Sequence, residues 1–355
     1  MTDSQRLRYS RQMRLPEIGE AGQHRLADAS VLVIGAGGLG SPALHHLAAS
    51  GVGCIGLIEF DTVDLSNLHR QTLYTTADVG TPKIEAAAHR LAQINPDVQV
   101  DAHSGRLDAQ NAPELIGAYD VVLDGSDTFG TRYVVNDASV ATGTPNVYAS
   151  VGHFSGQASV LGTENGPCYR CLFPEPPPAG LIPNCEEGGV LGVVPSLLGT
   201  IQATEALKLI LGVGTPLVGR LLLVDALAME FREIEFSKDP GCPACGAHRQ
   251  PLAAAESVRE ITAAELRASA EDTFALLDVR EAAERREFDI GGRLIPLGQL
   301  ETRAFELEDI RGRPVVVYCK SGGRSGRAAR LLADRGFDVR SLRGGTDAWR
   351  ASEPA

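Results

Sequence analysis

One stretch, VLVIGAGGLGSPALHH at residues 31–46, constrains the architecture of this chain more than any other. A short apolar run enters a turn holding Gly35, Gly37, Gly38 and Gly40, and apolar positions at helical spacing follow it. The strand-like segment CIGLIEF comes next, at 54–60. Strand, glycine-rich turn, helix and strand in that order open a parallel, doubly wound α/β sheet, because parallel neighbours are joined by a crossover. Glycines let the backbone approach a phosphate, and the free N–H groups of the helix start face it. Glu59 ends the second strand, where an acidic side chain accepts from ribose hydroxyls. By itself this fingerprint fits NAD as well as ATP.

The alternation continues along the chain. A polar stretch leads to a helix around 82–94, and VQVDAHS and YDVVLDGSD read as strands, the second ending in acidic residues. TPNVYASVG and GQASVLG read as later strands, the latter with the alternation of a more exposed sheet. PEPPPAGLIPNCEEGG holds no regular helix or strand. A helix over 195–211 follows, then the strands RLLLVDAL and MEFREIEF. AAAESVRE reads as a connector, part of which could begin the next domain, and ITAAELRAS as helical, after which FALLDVRE, PVVVYCKSGGRSGRAARLLADRG and DVRSLRGGTDAW restart the α/β pattern. The expected organisation is a first domain over 1–250, a linker over 251–260 and a small α/β domain over 261–355. Two domains suit a chain of 355 residues.

A net charge of -12 speaks against a nucleic-acid partner, which needs clustered Lys and Arg. No apolar run approaches the roughly 20 residues that span a bilayer. The polar start MTDSQRLRYSRQ lacks the apolar core of a secretion signal, so a cytoplasmic protein without a membrane partner is expected. Four of the seven cysteines form Cys-x-x-Cys pairs, Cys168 with Cys171 and Cys242 with Cys245, while Cys54, Cys185 and Cys319 stand alone. In a reducing compartment such pairs point to metal or redox chemistry. Both pairs lie in turn-rich segments, GPCYRCLFP and PGCPACGAH, as two zinc knuckles require, and four thiolates close a structural tetrahedral site. The other reading is one redox pair beside a fortuitous one. Cys54, inside CIGLIEF, reads as core.

Behind Glu59, DLSNLHRQ brings Asn67, Arg70 and Gln71, and Lys83 follows in VGTPK. Arg and Lys directed at one pocket suit a triphosphate better than a dinucleotide. Asp127 stands at the carboxyl end of a strand, where open α/β sheets bind ligands and where a carboxylate holds Mg2+. Taken in order, RYSRQ, GAGGLGSPAL, FDTVDLSNLHRQTL, VGTPK, DGSDTFGTRYVVND and GPCYRCLFP resemble the ThiF/MoeB family of ubiquitin-activating-type adenylyltransferases, over nearly all of residues 5–248. The resemblance implies a Rossmann-like adenylation domain with a zinc site. In it, the C-terminal glycine carboxylate of a carrier protein attacks the α-phosphate of ATP, giving an acyl-adenylate and pyrophosphate. It implies that Gly38, Glu59, Asp61, Ser66, Asn67, Arg70, Lys83, Asp127 and Thr128 line the ATP site, that Asp127 holds Mg2+, and that Cys168, Cys171, Cys242 and Cys245 hold Zn2+. It further implies a homodimer in which Arg11 reaches the ATP of the other subunit; Arg6, Arg8, Arg11 and Arg14 form a basic cluster in an acidic protein. Two positions depart from the family: Glu59 stands where Asp is usual, and Thr128 where Asn is common.

Cys319 follows the buried strand PVVVY and opens CKSGGRS, which runs into a helix. Amides of a loop curled at a helix start stabilise a thiolate or persulfide, and Lys320 and Arg324 add cations. With LLDVRE upstream and LRGGTDAW downstream, this loop resembles the rhodanese sulfurtransferase domain over about 262–350. The resemblance implies that Cys319 carries sulfane sulfur as a persulfide, with residues 320–324 as its cradle and Asp278 and Arg280 in support. The loop length matches sulfur-transferring members; a phosphatase relative carries a longer one. Cys185 lies where ThiF relatives have a mobile cysteine that in some forms a covalent link to the carrier. The combined expectation is an enzyme that adenylates a ubiquitin-like sulfur-carrier protein ending in Gly-Gly and converts it to a thiocarboxylate. Molybdopterin, tRNA thiolation, thiamine and cysteine synthesis all use this chemistry, with a cysteine desulfurase or thiosulfate as sulfur donor. The rivals are an NAD-dependent oxidoreductase, which gives Arg70, Lys83 and Cys319 no shared purpose, and a non-catalytic scaffold subunit, disfavoured by the presence of Arg11, Lys83 and Asp127.

Overall fold

A computed structural model describes residues 1–176, 189–247, 259–270, 273–333 and 335–352, so Cys185 lies outside the described residues. These fall into two compact units, one up to residue 247 and one from residue 259.

The first unit is built on eight strands: β1 (Ser30–Ile34), β2 (Cys54–Glu59), β3 (Gln99–Ser104), β4 (Val121–Asp124), β5 (Asn146–Gly152), β6 (Ser155–Leu161), β7 (Arg220–Asp225) and β8 (Glu230–Glu235). Their spatial order is β3-β2-β1-β4-β5-β6-β7-β8. The first five pair in parallel and the last three antiparallel. Crossover helices cover both faces of the parallel part, which is why β1, β2 and β4 are apolar and buried nearly throughout. The sheet order turns outward from β1 to β2 on one side and to β4 on the other, so the crevice at their carboxyl ends is the topological switch point. GQASVLG does not alternate as expected: β6 is buried from Ala158 to Leu161, because β5 and β7 flank it. The exposed strand is β8.

Around this sheet lie α1 (Asp3–Arg8), α2 (Gly19–Asp28), α3 (Gly40–Ser50), α4 (Lys83–Ile94), α5 (Ala112–Gly117), α6 (Phe129–Thr142), α7 (Tyr169–Leu172) and α8 (Val193–Leu211). Helix α8 is apolar on nearly all sides, and Pro195 sits within its first turn, where its missing N–H costs nothing. At Gly199 a Cβ would stand 2.2 Å from the Leu39 carbonyl oxygen, so α8 lies directly on the start of α3. Buried Gln202 donates from Nε2 to the carbonyls of Asp124 and Val147, each at 2.8 Å, tying α8 to the end of β4 and the start of β5. Among the described residues no helix is long and apolar enough to cross a membrane.

The second unit is a five-stranded parallel sheet of β9 (Arg259–Ile261), β10 (Ala275–Asp278), β11 (Arg293–Leu294), β12 (Val315–Tyr318) and β13 (Val339–Leu342), ordered β11-β10-β12-β13-β9. Helices α9 (Ala263–Ala268), α10 (Ala282–Glu287), α11 (Leu297–Arg303), α12 (Gly323–Ala333) and α13 (Gly345–Ala351) accompany it. Strand β9 shows that the end of the expected connector begins this unit, and it corrects the start of the expected helix, since Ile261 is strand. Three residues with two exposed side chains carry no periodicity, and only pairing with β13 makes them a strand. The helix begins at Ala263 because Thr262 and Glu265 close a capping box.

Candidate active sites

The glycine turn of the first unit is packed to its limit. Gly35 adopts φ +85°, and a Cβ on Gly40 would stand 1.9 Å from the Gly35 carbonyl oxygen, so only glycine closes the turn. Gly125, in the loop after β4, abuts the same turn: its Cβ would lie 2.7 Å from the Ile34 carbonyl oxygen. The β1 and β4 loops therefore line one crevice.

Glu59 is threaded into this turn. Its Oε2 accepts from the Ala36 amide at 2.9 Å, and its Oε1 accepts from the amides of Phe60 and Asp61 at 2.8 and 2.9 Å. One further lone pair on Oε2 remains for a ligand hydroxyl. Lys83, the first residue of α4, is 5% exposed, and its Nζ donates to Asp61 Oδ2 at 3.1 Å. The amide of Lys83 also donates to the Asp61 carbonyl at 2.8 Å, which fixes the lysine beside the end of β2. Tyr74 donates to the carbonyl of Ala36; burial, with Glu59 and Asp61 nearby, pushes its phenol far above the usual range.

Asn67 is buried in a 3-10 turn over Leu65–Asn67, and its Oδ1 accepts from the Asp64 amide at 3.3 Å. Ser66 is exposed and donates to Asp64 Oδ1 at 2.6 Å. Arg70 is held by the Ser66 carbonyl at 3.1 Å, and its Cγ lies 3.6 Å from where a Gly38 Cβ would be. Gln71 is buried nearby with its Oε1 unpartnered. Gly38, Glu59, Asp61, Arg70 and Lys83 thus gather around one turn, and Ser66 and Asn67 shape the segment that delivers Arg70.

Across the crevice, Asp127 is exposed at the start of α6. Thr128 plays a structural part as the N-cap of α6, its Oγ1 accepting from the Thr131 amide at 3.3 Å. Asp124 is buried, takes the Ser126 amide and hydroxyl on Oδ1, and leaves Oδ2 unpartnered. Burial raises its carboxyl, with buried Arg132 opposing. Sequence reasoning missed Arg132, whose apolar helix neighbours hide a guanidinium stacked 5.0 Å from the Phe129 ring. Arg11 is exposed in the turns after α1, and no hydrogen bond or ion pair joins it to the glycine turn among the described residues.

The four paired cysteines converge. Cys168 Sγ lies 3.9 Å from Cys171 Sγ and 3.5 Å from Cys242 Sγ, Cys171 Sγ lies 3.4 Å from Cys245 Sγ, and all four sulfurs lie within 4.8 Å of one another. Zn–S bonds of about 2.3 Å in a tetrahedron set S···S near 3.8 Å, so the cluster fits a metal of that size. The amides of Cys168 and Asp239 point at Cys171 Sγ from 3.5 and 3.4 Å, as amides around a thiolate do. Burial and the neighbouring sulfurs hold the Cys168 thiol far up and Cys245 up to about 12, whereas, against burial, backbone amides of Cys245 and Ala244 bring the Cys242 thiol down. Tyr169 and Arg170 anchor the cluster to α6: the Tyr169 amide donates to Asn136 Oδ1 at 2.7 Å, and Arg170 grips Asp137 with two bonds of 2.7 Å. Cys54 is not simply core. It is half-buried, donates to Asp101 Oδ2 at 3.2 Å, and burial with that carboxylate pushes its thiol up to about 11.

In the second unit Cys319 is 1% exposed at the end of β12. Its Sγ accepts from the Gly322 amide at 3.2 Å, and Gly322 holds φ +101° to aim that amide inward. Ser325 Oγ lies 3.6 Å from the sulfur and is fixed by Ser341 at 2.9 Å. The motif LRGGTDAW finds its purpose here. The amides of Thr346 and Asp347 donate to the carbonyls of Cys319 and Lys320, and a Gly345 Cβ would meet those oxygens at 2.2 and 2.4 Å. Asp278 and Arg280 form a buried bidentate pair at 2.7 and 2.9 Å, and Arg280 lies 5.4 Å from the ring of Tyr318, beside the cysteine. Arg324 is not a free cation: Nη1 and Nη2 donate to Glu284 at 2.7 and 2.6 Å.

The ThiF family profile matches residues 9–244. The chain belongs to the ThiF family. A rhodanese-like domain matches residues 262–352. The probable adenylyltransferase/sulfurtransferase MoeZ of Mycobacterium tuberculosis is 44% identical over 360 residues, covering 96% of this chain and 92% of that protein. Adenylyltransferase and sulfurtransferase MOCS3 of Arabidopsis thaliana is 37% identical, covering 99% of this chain and 85% of that protein. The sulfur carrier protein adenylyltransferase of Thermus thermophilus is 54% identical over 244 residues, 67% of this chain and 90% of its own. Among solved structures, E. coli MccB in complex with ATP matches with a TM-score of 0.58 at 23% identity, over 67% of this chain and 74% of that one, which is a likeness of fold. This ThiF-family chain is an enzyme, an adenylyltransferase joined to a rhodanese-type sulfurtransferase, and its adenylation half uses ATP. The oxidoreductase and scaffold readings give way to it.

Proposed function

We propose that the chain adenylates the terminal Gly-Gly carboxylate of a ubiquitin-like sulfur-carrier protein in the cytoplasm and turns the adenylate into a thiocarboxylate with sulfur held on Cys319. The observation that carries the first half is a buried lysine, Lys83, kept beside a closed glycine turn by a carboxylate that a phosphate displaces. The triphosphate lies along the Gly35–Gly40 turn, with Glu59 on a ribose hydroxyl and Arg70 and Lys83 on phosphate oxygens. A carrier carboxylate oxygen attacks the α-phosphorus, and pyrophosphate leaves with the bonding electron pair. Asp127 holds Mg2+, which when bound neutralises phosphate charge. Arg11 acts across a homodimer, which suits its exposure.

The thiolate of Cys319 takes a sulfane sulfur from its donor, and the Gly322 amide favours the anionic persulfide. The terminal sulfur attacks the acyl-adenylate carbonyl carbon, AMP leaves, and an acyl disulfide to Cys319 results. A thiol reductant attacks the Cys319 sulfur, which becomes part of a new disulfide as the carrier departs as thiocarboxylate, and Cys185 is the candidate for a covalent link to the carrier on the way. The likeness to MoeZ and MOCS3 supports a molybdopterin or thiolation pathway.

Pyrophosphate exchange tests the reading. Label returns to ATP only when a sulfur carrier ending in Gly-Gly is present, and the same carrier shortened by its last glycine gives none; exchange without carrier, or absence of exchange with every such carrier, sinks it.

Zinc fits the cysteine cluster as a closed structural ion. Cys242→Ser is expected to lower bound zinc well below one per chain and to cost about 3 kcal/mol, roughly 10 °C in Tm for a domain of this size. Metal analysis and thermal unfolding check this, and an unchanged Tm would remove the structural role.

A further inference from the structure

We propose that Glu284 selects the sulfur donor at Cys319: by neutralising Arg324 it favours a protein or thiol persulfide over dianionic thiosulfate. The inference rests on the reading of Cys319 as the sulfur carrier.

Arg324 closes the six-residue loop that begins at Cys319, and a charge on Cys319 acts directly on its guanidinium. Within that loop Lys320 and Arg324 are the two cations. The loop therefore offers two positive charges to an incoming anion by composition. The structure removes one of them. Glu284, forty residues earlier on α10, binds Arg324 through both carboxylate oxygens at 2.6 and 2.7 Å. Its own place is fixed from the other side, because Glu284 Oε2 accepts from the Glu281 amide at 3.0 Å and closes the capping box of α10. The carboxylate is thus part of a helix start, and the arginine comes to it. The side chains of the pair are 28% and 31% exposed, so solvent screens it incompletely. The arginine beside it holds the Glu284 carboxyl down to about 2, which keeps the pair zwitterionic at every working pH.

Donor chemistry makes that neutralisation matter. With thiosulfate, the Cys319 thiolate attacks the sulfane sulfur, the S–S bond breaks, and sulfite leaves with the electron pair. With a persulfide, the same thiolate attacks the outer sulfur and a thiolate leaves. Both steps move a sulfur atom at unchanged total oxidation level, and both produce the Cys319 persulfide. They differ in the charge brought to the cradle. Thiosulfate brings two negative charges and gains from every unpaired cation, whereas a persulfide presented on a protein brings one at most and is steered by its own surface. Glu284 is a positioning residue in this account; it acts through Arg324.

The full chain is compared as wild type, Glu284→Gln, Glu284→Asp, Arg324→Gln and the Glu284→Gln/Arg324→Gln double variant. Thiosulfate use is read as thiocyanate formed from cyanide, and persulfide use as mass added to Cys319 by a cysteine desulfurase with L-cysteine. Glu284→Gln is expected to lower KM for thiosulfate about five- to tenfold at nearly constant kcat, with the gain erased by about 0.5 M salt. Desulfurase-driven loading stays within about twofold, an expectation from steering by the partner's surface. Glu284→Asp keeps the wild-type KM. Arg324→Gln strands the carboxylate and raises KM, and the double variant returns it toward wild type. A thiosulfate KM that is unchanged or raised in Glu284→Gln, or both donors improving alike, overturns the inference. If wild type and Cys319→Ala load sulfur equally poorly from both donors, the sulfur reading itself has failed and takes this inference with it.

Discussion

Replacing Cys319 with Ala removes thiocarboxylate formation to background while carrier-dependent pyrophosphate exchange continues at the wild-type rate. The sulfur sits at the end of β12 with the Gly322 amide 3.2 Å away, and among the described residues no other cysteine has an inward-facing glycine loop around it. A persulfide needs both the sulfur and the amide that favours its anion. Cys54 offers no substitute, since burial and Asp101 keep its thiol protonated up to about 11. The exchange reaction is complete before sulfur enters, so it has no reason to slow. Thiocarboxylate is read by mass on the carrier terminus, and exchange by label returned to ATP. Survival of the thiocarboxylate would move the sulfur role away from Cys319; loss of both activities would mean that Cys319→Ala damages more than sulfur transfer.

Lys83→Met is expected to lower exchange on the order of 10²–10³-fold, the size of effect found when one preorganised charge partner of a transition state is removed. The lysine is buried and fixed beside the glycine turn, so in the proposed ATP site no water replaces its ammonium at the phosphate without loss. Its removal leaves Asp61 without a partner, yet the Asp61 side chain is 52% exposed and stays hydrated. Stability should therefore change little, in contrast to the loss that follows when a fully buried pair is broken. A Tm within a few degrees of wild type, measured beside the exchange rate, separates lost chemistry from lost fold. Exchange within tenfold of wild type would place the phosphate-binding cation elsewhere.

Much of both units was legible in the sequence because the constraints were local. A glycine turn between an apolar strand and a helix can be read residue by residue, and so can two Cys-x-x-Cys turns or a glycine-rich loop after PVVVY. Asp61 and Lys83 lay within one motif of each other. What escaped were features made by distance. Glu284 and Arg324 are forty residues apart, and neither sequence neighbourhood marks the pair. Arg132 looks like a surface residue of an amphipathic helix until Phe129 and Tyr148 close over it. Thr128, noted in the sequence only as a departure from the expected Asn, stands at a position that caps a helix, and its hydroxyl supplies that cap. Strand β9 exists only through β13, and the true depth of β6 depends on strands on both sides.

Helix α6 joins two places that are otherwise easy to treat as separate. Its start carries the loop of Asp127, and at its middle Asn136 and Asp137 hold the backbone of Tyr169 and the guanidinium of Arg170, flanked by Cys168 and Cys171. Alkylating or oxidising reagents meant to titrate Cys319 also meet four clustered sulfurs, and damage there is expected to loosen the anchor of the helix that carries the Asp127 loop. Inactivation by such reagents is therefore ambiguous in this enzyme, and the site of the adduct, not the activity lost, is the quantity that identifies which thiol was struck.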